Sequence, residues 1–81
     1  MSNQKNIKLV VTSPSFSKNP KLQKEVYKYF PTAKLNLEGK RFSKQELIEF
    51  IGDAEALIVG LEIIDDEVLD KLPNLKIVSK Y

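Results

Sequence analysis

Apolar positions in this chain occur either as short unbroken runs or at helical spacing, and the two patterns alternate along its length. Lys8 to Thr12, built around Leu-Val-Val, is the first run and predicts a strand. Leu22, Val26, Tyr29 and Phe30 then recur at helical spacing, while Lys21, Lys24, Glu25 and Lys28 take the opposite face. Lys34 to Leu37 alternates polar with apolar residues and predicts a short strand at a sheet edge, with Glu38-Gly39-Lys40 as its exit turn. Leu47-Ile48 and Phe50-Ile51 mark a second helix. Ala56 to Val59 has no polar interruption, as expected of a parallel strand buried on both faces. Val68, Leu69 and Leu72 predict the inner face of a third helix, and Leu75 to Ser79 a fourth strand.

The boundaries of these elements carry their own signals. Asn19-Pro20 offers a cap with proline at the first helical position, and Pro31 stops that helix. Ser43 and Glu46 have the Ser-x-x-Glu spacing of a capping box, and Gly52 is the expected C-cap. Gly60 ends the third strand. Asp65, Asp66 and Glu67 put carboxylates where a helix N-terminus is electropositive, and Pro73-Asn74 turns the chain back into the sheet.

Strand followed by helix, repeated, predicts a layered α/β fold with parallel strands joined by right-handed crossovers. The expected architecture is a flavodoxin-like three-layer fragment: a four-stranded parallel sheet of order 2-1-3-4 with three helices, residues 1–81 forming one domain. Ligands in such sheets bind at the carboxyl ends of the strands where the order reverses. Two loops are therefore nominated, Ser13 to Ser17 and Gly60 to Ile64.

Composition narrows the chemistry. With 81 residues the chain buries one modest core, and the absence of cysteine and histidine removes disulfides, thiolate metal sites and the commonest general base. The polar start Met-Ser-Asn-Gln-Lys-Asn and the lack of a long apolar run point to a cytoplasmic protein with no membrane partner. Net charge is +2, yet residues 1–44 carry ten Lys or Arg against two acids and residues 45–81 three against nine. Lys18, Lys21, Lys24 and Lys28 near Tyr27 and Tyr29 read better as a solvated helix face than as a nucleic-acid surface, because one arginine among thirteen cations makes a poor groove reader.

Candidate binding residues sit in the nominated loops. Ser13 and Ser15 offer hydroxyls at a strand-to-helix junction, although serine and proline are also ordinary loop residues there. Gly60, Leu61 and Glu62 are the stronger group, since glycine lets backbone approach a ligand; the plainer reading is a tight turn. Glu62 is a lone carboxylate with no partner visible in the sequence. The glycines at 39, 52 and 60 are isolated, so no Gly-x-Gly-x-x-Gly dinucleotide turn exists and no cofactor site is expected in these residues.

Three stretches bear a likeness to a known family. Ile7 to Ser15, Ala-Leu-Ile-Val-Gly-Leu-Glu at 56–62, and the acidic helix ending Leu-Pro-Asn-Leu-Lys-Ile-Val before Ser-Lys-Tyr resemble the substrate-binding domain of D-isomer-specific 2-hydroxyacid dehydrogenases. A 3-phosphoglycerate dehydrogenase type is one form of that resemblance. It implies NAD or NADP as cofactor of the complete enzyme, a 2-hydroxy or 2-oxo acid as substrate, and backbone contacts from Gly60-Leu61-Glu62 to the substrate carboxylate. Where some members have an arginine-serine loop after the third strand, this chain has Gly60-Leu61-Glu62. Tyr81 stands where the family's Gly-Val-Gly-x-Asp-Asn loop begins, and its hydroxyl is a further pocket candidate. The family's catalytic histidine, its acid and its arginine lie in segments not matched here, and Arg41 is in the wrong part of the chain to be that arginine. The resemblance implies an N-terminal fragment, inactive alone; the other reading is a free-standing binding or interaction module. A homo-oligomer is expected through the edge strand Leu75 to Ser79, whose unpaired backbone would template pairing.

Overall fold

β1 (Leu9–Val11) is buried at all three positions because it lies inside the sheet with helices on both faces. In the computed structural model, which describes residues 7–60 and 62–81, it pairs in parallel with β2 (Lys34–Leu35) on one side and β3 (Ala56–Val59) on the other. β4 (Ile77–Lys80) pairs with β3, so the order is β2-β1-β3-β4, as the alternation predicts. Val10 stands opposite Lys34 and Leu57, and Ala56 opposite Ile77.

The period-two geometry of the strands sorts the core into two layers. Leu9 and Val11 point toward α1 (Pro14–Lys18) and α2 (Pro20–Tyr29), packing with Phe16, Val26 and Leu35. Val10, Leu57 and Val59 point the other way, against Leu47 and Ile51 of α3 (Lys44–Ile51), Val68 of α4 (Asp66–Asp70), and Leu72. Helix, sheet and helix make the three layers.

Each cap proposed from the sequence is formed. Asn19 Oδ1 accepts from the N–H groups of Lys21 and Leu22. Ser43 Oγ accepts from Glu46 N–H at 3.2 Å, and Glu46 Oε1 accepts from Ser43 N–H at 3.0 Å, closing the capping box. Asp65 Oδ1 accepts from Val68 N–H at 3.0 Å, and Gly52 caps α3 at φ 58°.

Several expectations change. Four helices form among the described residues, not three, because Ser13 to Ser17 is not an open loop: Ser13 caps the five-residue α1, whose Phe16 and Ser17 are buried. Tyr29 is 46% exposed and Leu69 40% exposed, so neither belongs to an inner face. Each is adjacent to the buried stripe, which α2 continues through Leu22, Val26 and Phe30 and α4 continues at Leu72. The second strand stops at Leu35 because Asn36 turns inward, and the fourth begins at Ile77 with Leu75 packed against the core instead of exposed. β3 is fully buried only at Leu57 and Val59; Ala56 and Ile58 are half-buried. β4 is exposed throughout, with Ile77 at 62%, and none of its residues belongs to either core cluster.

The opposite charges of the two halves meet in space. Lys8 Nζ lies 2.6 Å from Asp53, and Lys44 Nζ lies 3.1 Å from both Asp65 and Glu67. These pairs are solvent-exposed and individually contribute little.

Candidate functional site

The carboxyl ends of β1, β2, β3 and β4 surround one cleft of about 680 Å³. Ser13 and Ser15 enter it from the β1–α1 junction, Gly60 and Glu62 from the segment after β3, and Tyr81 from the end of β4. This is the end of the sheet where the strand order reverses, and five of the six candidate residues converge on it. The sixth, Leu61, lies outside the described residues.

Their individual roles differ from the expectation. Ser13 is 3% exposed, and its Oγ accepts from Phe16 N–H at 3.3 Å, so the hydroxyl is a helix cap first. Ser15 is exposed on the first turn of α1. Gly60 packs against Ser13 so closely that an added Cβ would stand 3.1 Å from both Ser13 Cβ and Oγ. The glycine thus lets the β1 and β3 ends approach without Ser13 having to give way, and leaves its backbone open to a ligand. Tyr81 is fixed by its N–H, which donates to Val59 O at 2.8 Å, and by an edge-to-face contact with Phe16 at 5.1 Å.

Glu62 does have a partner, and it is one that only the folded chain reveals. Its Oε1 accepts from the Thr12 hydroxyl at 3.0 Å and from Gly60 N–H at 3.2 Å. Thr12 is completely buried at the end of β1. A donor hydroxyl and a free backbone N–H at the switch point therefore form a corner that receives a carboxylate oxygen. In the folded chain that oxygen is Glu62's own.

Sequence reasoning missed the third wall. Gly39, Lys40, Arg41 and Phe42, which follow β2, line the same cleft. Gly39 and Lys40 were legible only as part of an exit turn, and Arg41 only as misplaced for the family's arginine. What brings them there is Asn36, 3% exposed, whose Nδ2 donates to Thr12 O and Lys40 O at 2.9 Å and whose Oδ1 accepts from Lys40 N–H at 3.0 Å. Gly39 takes φ +68°, a conformation that favours glycine.

The helix N-termini do not suit a dinucleotide. Ser13, Asn19, Ser43 and Asp65 each turn a side-chain oxygen onto the first amides of their own helix, and Glu46 and Asp65 add negative charge where a pyrophosphate would dock. Among the described residues these helix N-termini are thus already capped by the chain's own side chains.

Sheet order defines the class, a doubly wound α/β unit of flavodoxin-like form with a cleft at the carboxyl ends of its strands. The family model for the D-isomer specific 2-hydroxyacid dehydrogenase catalytic domain matches residues 9–81, and the chain belongs to that family. A crystal structure from Polaromonas sp. JS6 66, described as a D-isomer specific 2-hydroxyacid dehydrogenase, NAD-binding, superposes with a TM-score of 0.77 at 28% sequence identity. The match covers 91% of this chain and 23% of that one. Comparison with curated proteins gives no match.

Proposed function

We propose that the chain is the N-terminal part of the substrate-binding domain of a cytoplasmic, NAD- or NADP-dependent D-2-hydroxyacid dehydrogenase. Its cleft holds the acid end of a 2-hydroxy or 2-oxo acid, with 3-phosphoglycerate one member of that class. The observation that carries this reading is the corner formed by Thr12 Oγ1 and Gly60 N–H, which already binds a carboxylate oxygen of Glu62. Hydrogen bonds to an ionised acceptor are the strong ones, so the corner favours a carboxylate over a neutral group. The bound nicotinamide supplies the hydride chemistry, and its site belongs to other segments of the complete enzyme. The 81 residues contribute binding and orientation and are inactive alone.

Titration of the chain with glycolate, followed by amide NMR, tests the reading. Saturable shifts at Gly60, Ser13 and Tyr81 are expected, and NADH fluorescence should stay unenhanced by the chain. Saturating glycolate that leaves Gly60 unmoved would overturn it.

A second reading, an interaction module, is favoured by one observation. β4 is exposed at every position and presents Ile77 and Val78 beside a strand edge that is unpaired among the described residues. We infer that this edge takes a partner strand, in the simplest case from a second copy about a two-fold axis.

A further inference from the structure

Glu62 borders two clefts. It lines the one at the strand ends and also a second of about 400 Å³ beside β4, which Val59, Ile63, Ile64, Val78 and Lys80 complete. Its Oε1 is turned to the first, onto the Thr12 hydroxyl and the Gly60 N–H. On the side of the second lies Lys80, exposed and, among the described residues, in no ion pair.

The same side chain holds its segment in place. Ile63 is 77% exposed, and among the described residues the Glu62–Thr12 bond is the one hydrogen bond that ties the chain between Gly60 and Ile64 to another element. Beyond it the chain is anchored again, because Ile64 packs against the core and Asp65 caps α4. The segment therefore has fixed ends and one releasable tie.

Release of that tie strands no buried hydroxyl. Thr12 Oγ1 has a second acceptor in Ile58 O at 3.4 Å. When a ligand carboxylate takes both donors, the corner exchanges one carboxylate for another, and the hydrogen bonds gained and lost there nearly cancel. What the displaced group meets outside the corner then decides the balance between the two states. A ligand in the corner closes the cleft side to it, whereas the β4 side offers a lysine.

We propose that Glu62 is a two-position latch. Without ligand it fills the carboxylate corner from within; on ligand entry it swings out to pair with Lys80, so that β4 registers whether the cleft is occupied. This rests on the carboxylate reading of the corner.

The test is glycolate titration by amide NMR, at fixed protein concentration and ionic strength, of the unaltered chain, Glu62→Ala, Lys80→Gln and the double variant. In the unaltered chain, shifts at Thr12 and Gly60 should be joined, with the same midpoint, by shifts at Ile64 and Lys80. In Glu62→Ala the corner shifts should persist and those at Ile64 and Lys80 should vanish. Lys80→Gln should weaken glycolate about two- to fivefold, as expected of one exposed ion pair, and that loss should disappear when residue 62 is already alanine. Lys80 is exposed, and the dispersed spectrum of each variant checks that it is folded. Corner shifts that leave Ile64 and Lys80 unmoved sink the latch alone, as does a Lys80→Gln chain that binds glycolate like the unaltered one. A Lys80→Gln loss that persists in the double variant means that the lysine touches the ligand itself, and it overturns the latch too. No binding even by Glu62→Ala, whose two corner donors are free, overturns the corner reading and the latch together.

Discussion

The Thr12 hydroxyl donates to Glu62 Oε1 at 3.0 Å, joining the end of β1 to the segment after β3 across the switch point. The same oxygen takes the Gly60 N–H, so a ligand carboxylate entering this corner competes with the chain's own. Glu62→Ala should release both donors. Because a hydrogen bond to a charged group contributes about 1.5–3 kcal/mol net, glycolate affinity should rise between about tenfold and about a hundredfold. NMR titration of the variant measures it, and an unchanged affinity would mean that Gly60 does not take the ligand.

Asn36→Ala removes three side-chain hydrogen bonds from a residue that is 3% exposed and leaves Thr12 O without its amide partner. A loss of about 2–3 kcal/mol is expected, a large part of a small domain's stability. Urea unfolding gives the loss. Hydrogen exchange should also show Lys40 N–H losing protection more than Leu57, which a general loosening would not produce.

Ser43→Ala opens one side of the capping box, whose two hydrogen bonds are 3.2 and 3.0 Å long. The expected cost is about 1 kcal/mol. A denaturation midpoint equal to that of the unaltered chain would show that α3 draws nothing from its cap.

Asp65 links α4 to α3, and its carboxyl is held below the usual aspartate value first by the Val68 N–H and then by Lys44. A carboxyl depressed in the folded state adds stability that is complete above its unfolded pKa of about 4 and disappears as pH falls through the folded value. Asp65→Asn keeps an oxygen for the cap and removes the charge. The variant should therefore be less stable than the unaltered chain at about pH 7, and the difference should shrink as pH falls through the folded value. Urea midpoints across that range give the test, and a constant difference would show that charge plays no part.

Pairing through β4 predicts a mass that rises with concentration, and Ile77→Lys should abolish the rise by placing a charge on a residue that is 62% exposed on the strand edge. Light scattering of the two chains at several concentrations decides. One-chain mass throughout, with β4 amides protected from exchange, excludes the pairing.

Local signals in the sequence determined most of the fold. Caps at Asn19, Ser43 and Asp65, the C-cap Gly52 and the run Ala56–Val59 depend on neighbours a few residues away, so spacing was enough to read them. Strand–helix alternation then fixed the sheet order, and the order fixed the end of the sheet where the cleft lies. Chemistry inside the cleft was decided elsewhere. The Glu62–Thr12 bond spans 50 residues, the Asn36–Thr12 bond 24, and Lys18 reaches Gly39 from another element. Such contacts are set by which strands lie side by side and by how far each turn folds over them. No periodicity records them, so a polar turn and a lone carboxylate looked like solvated loop until tertiary packing gave each a partner.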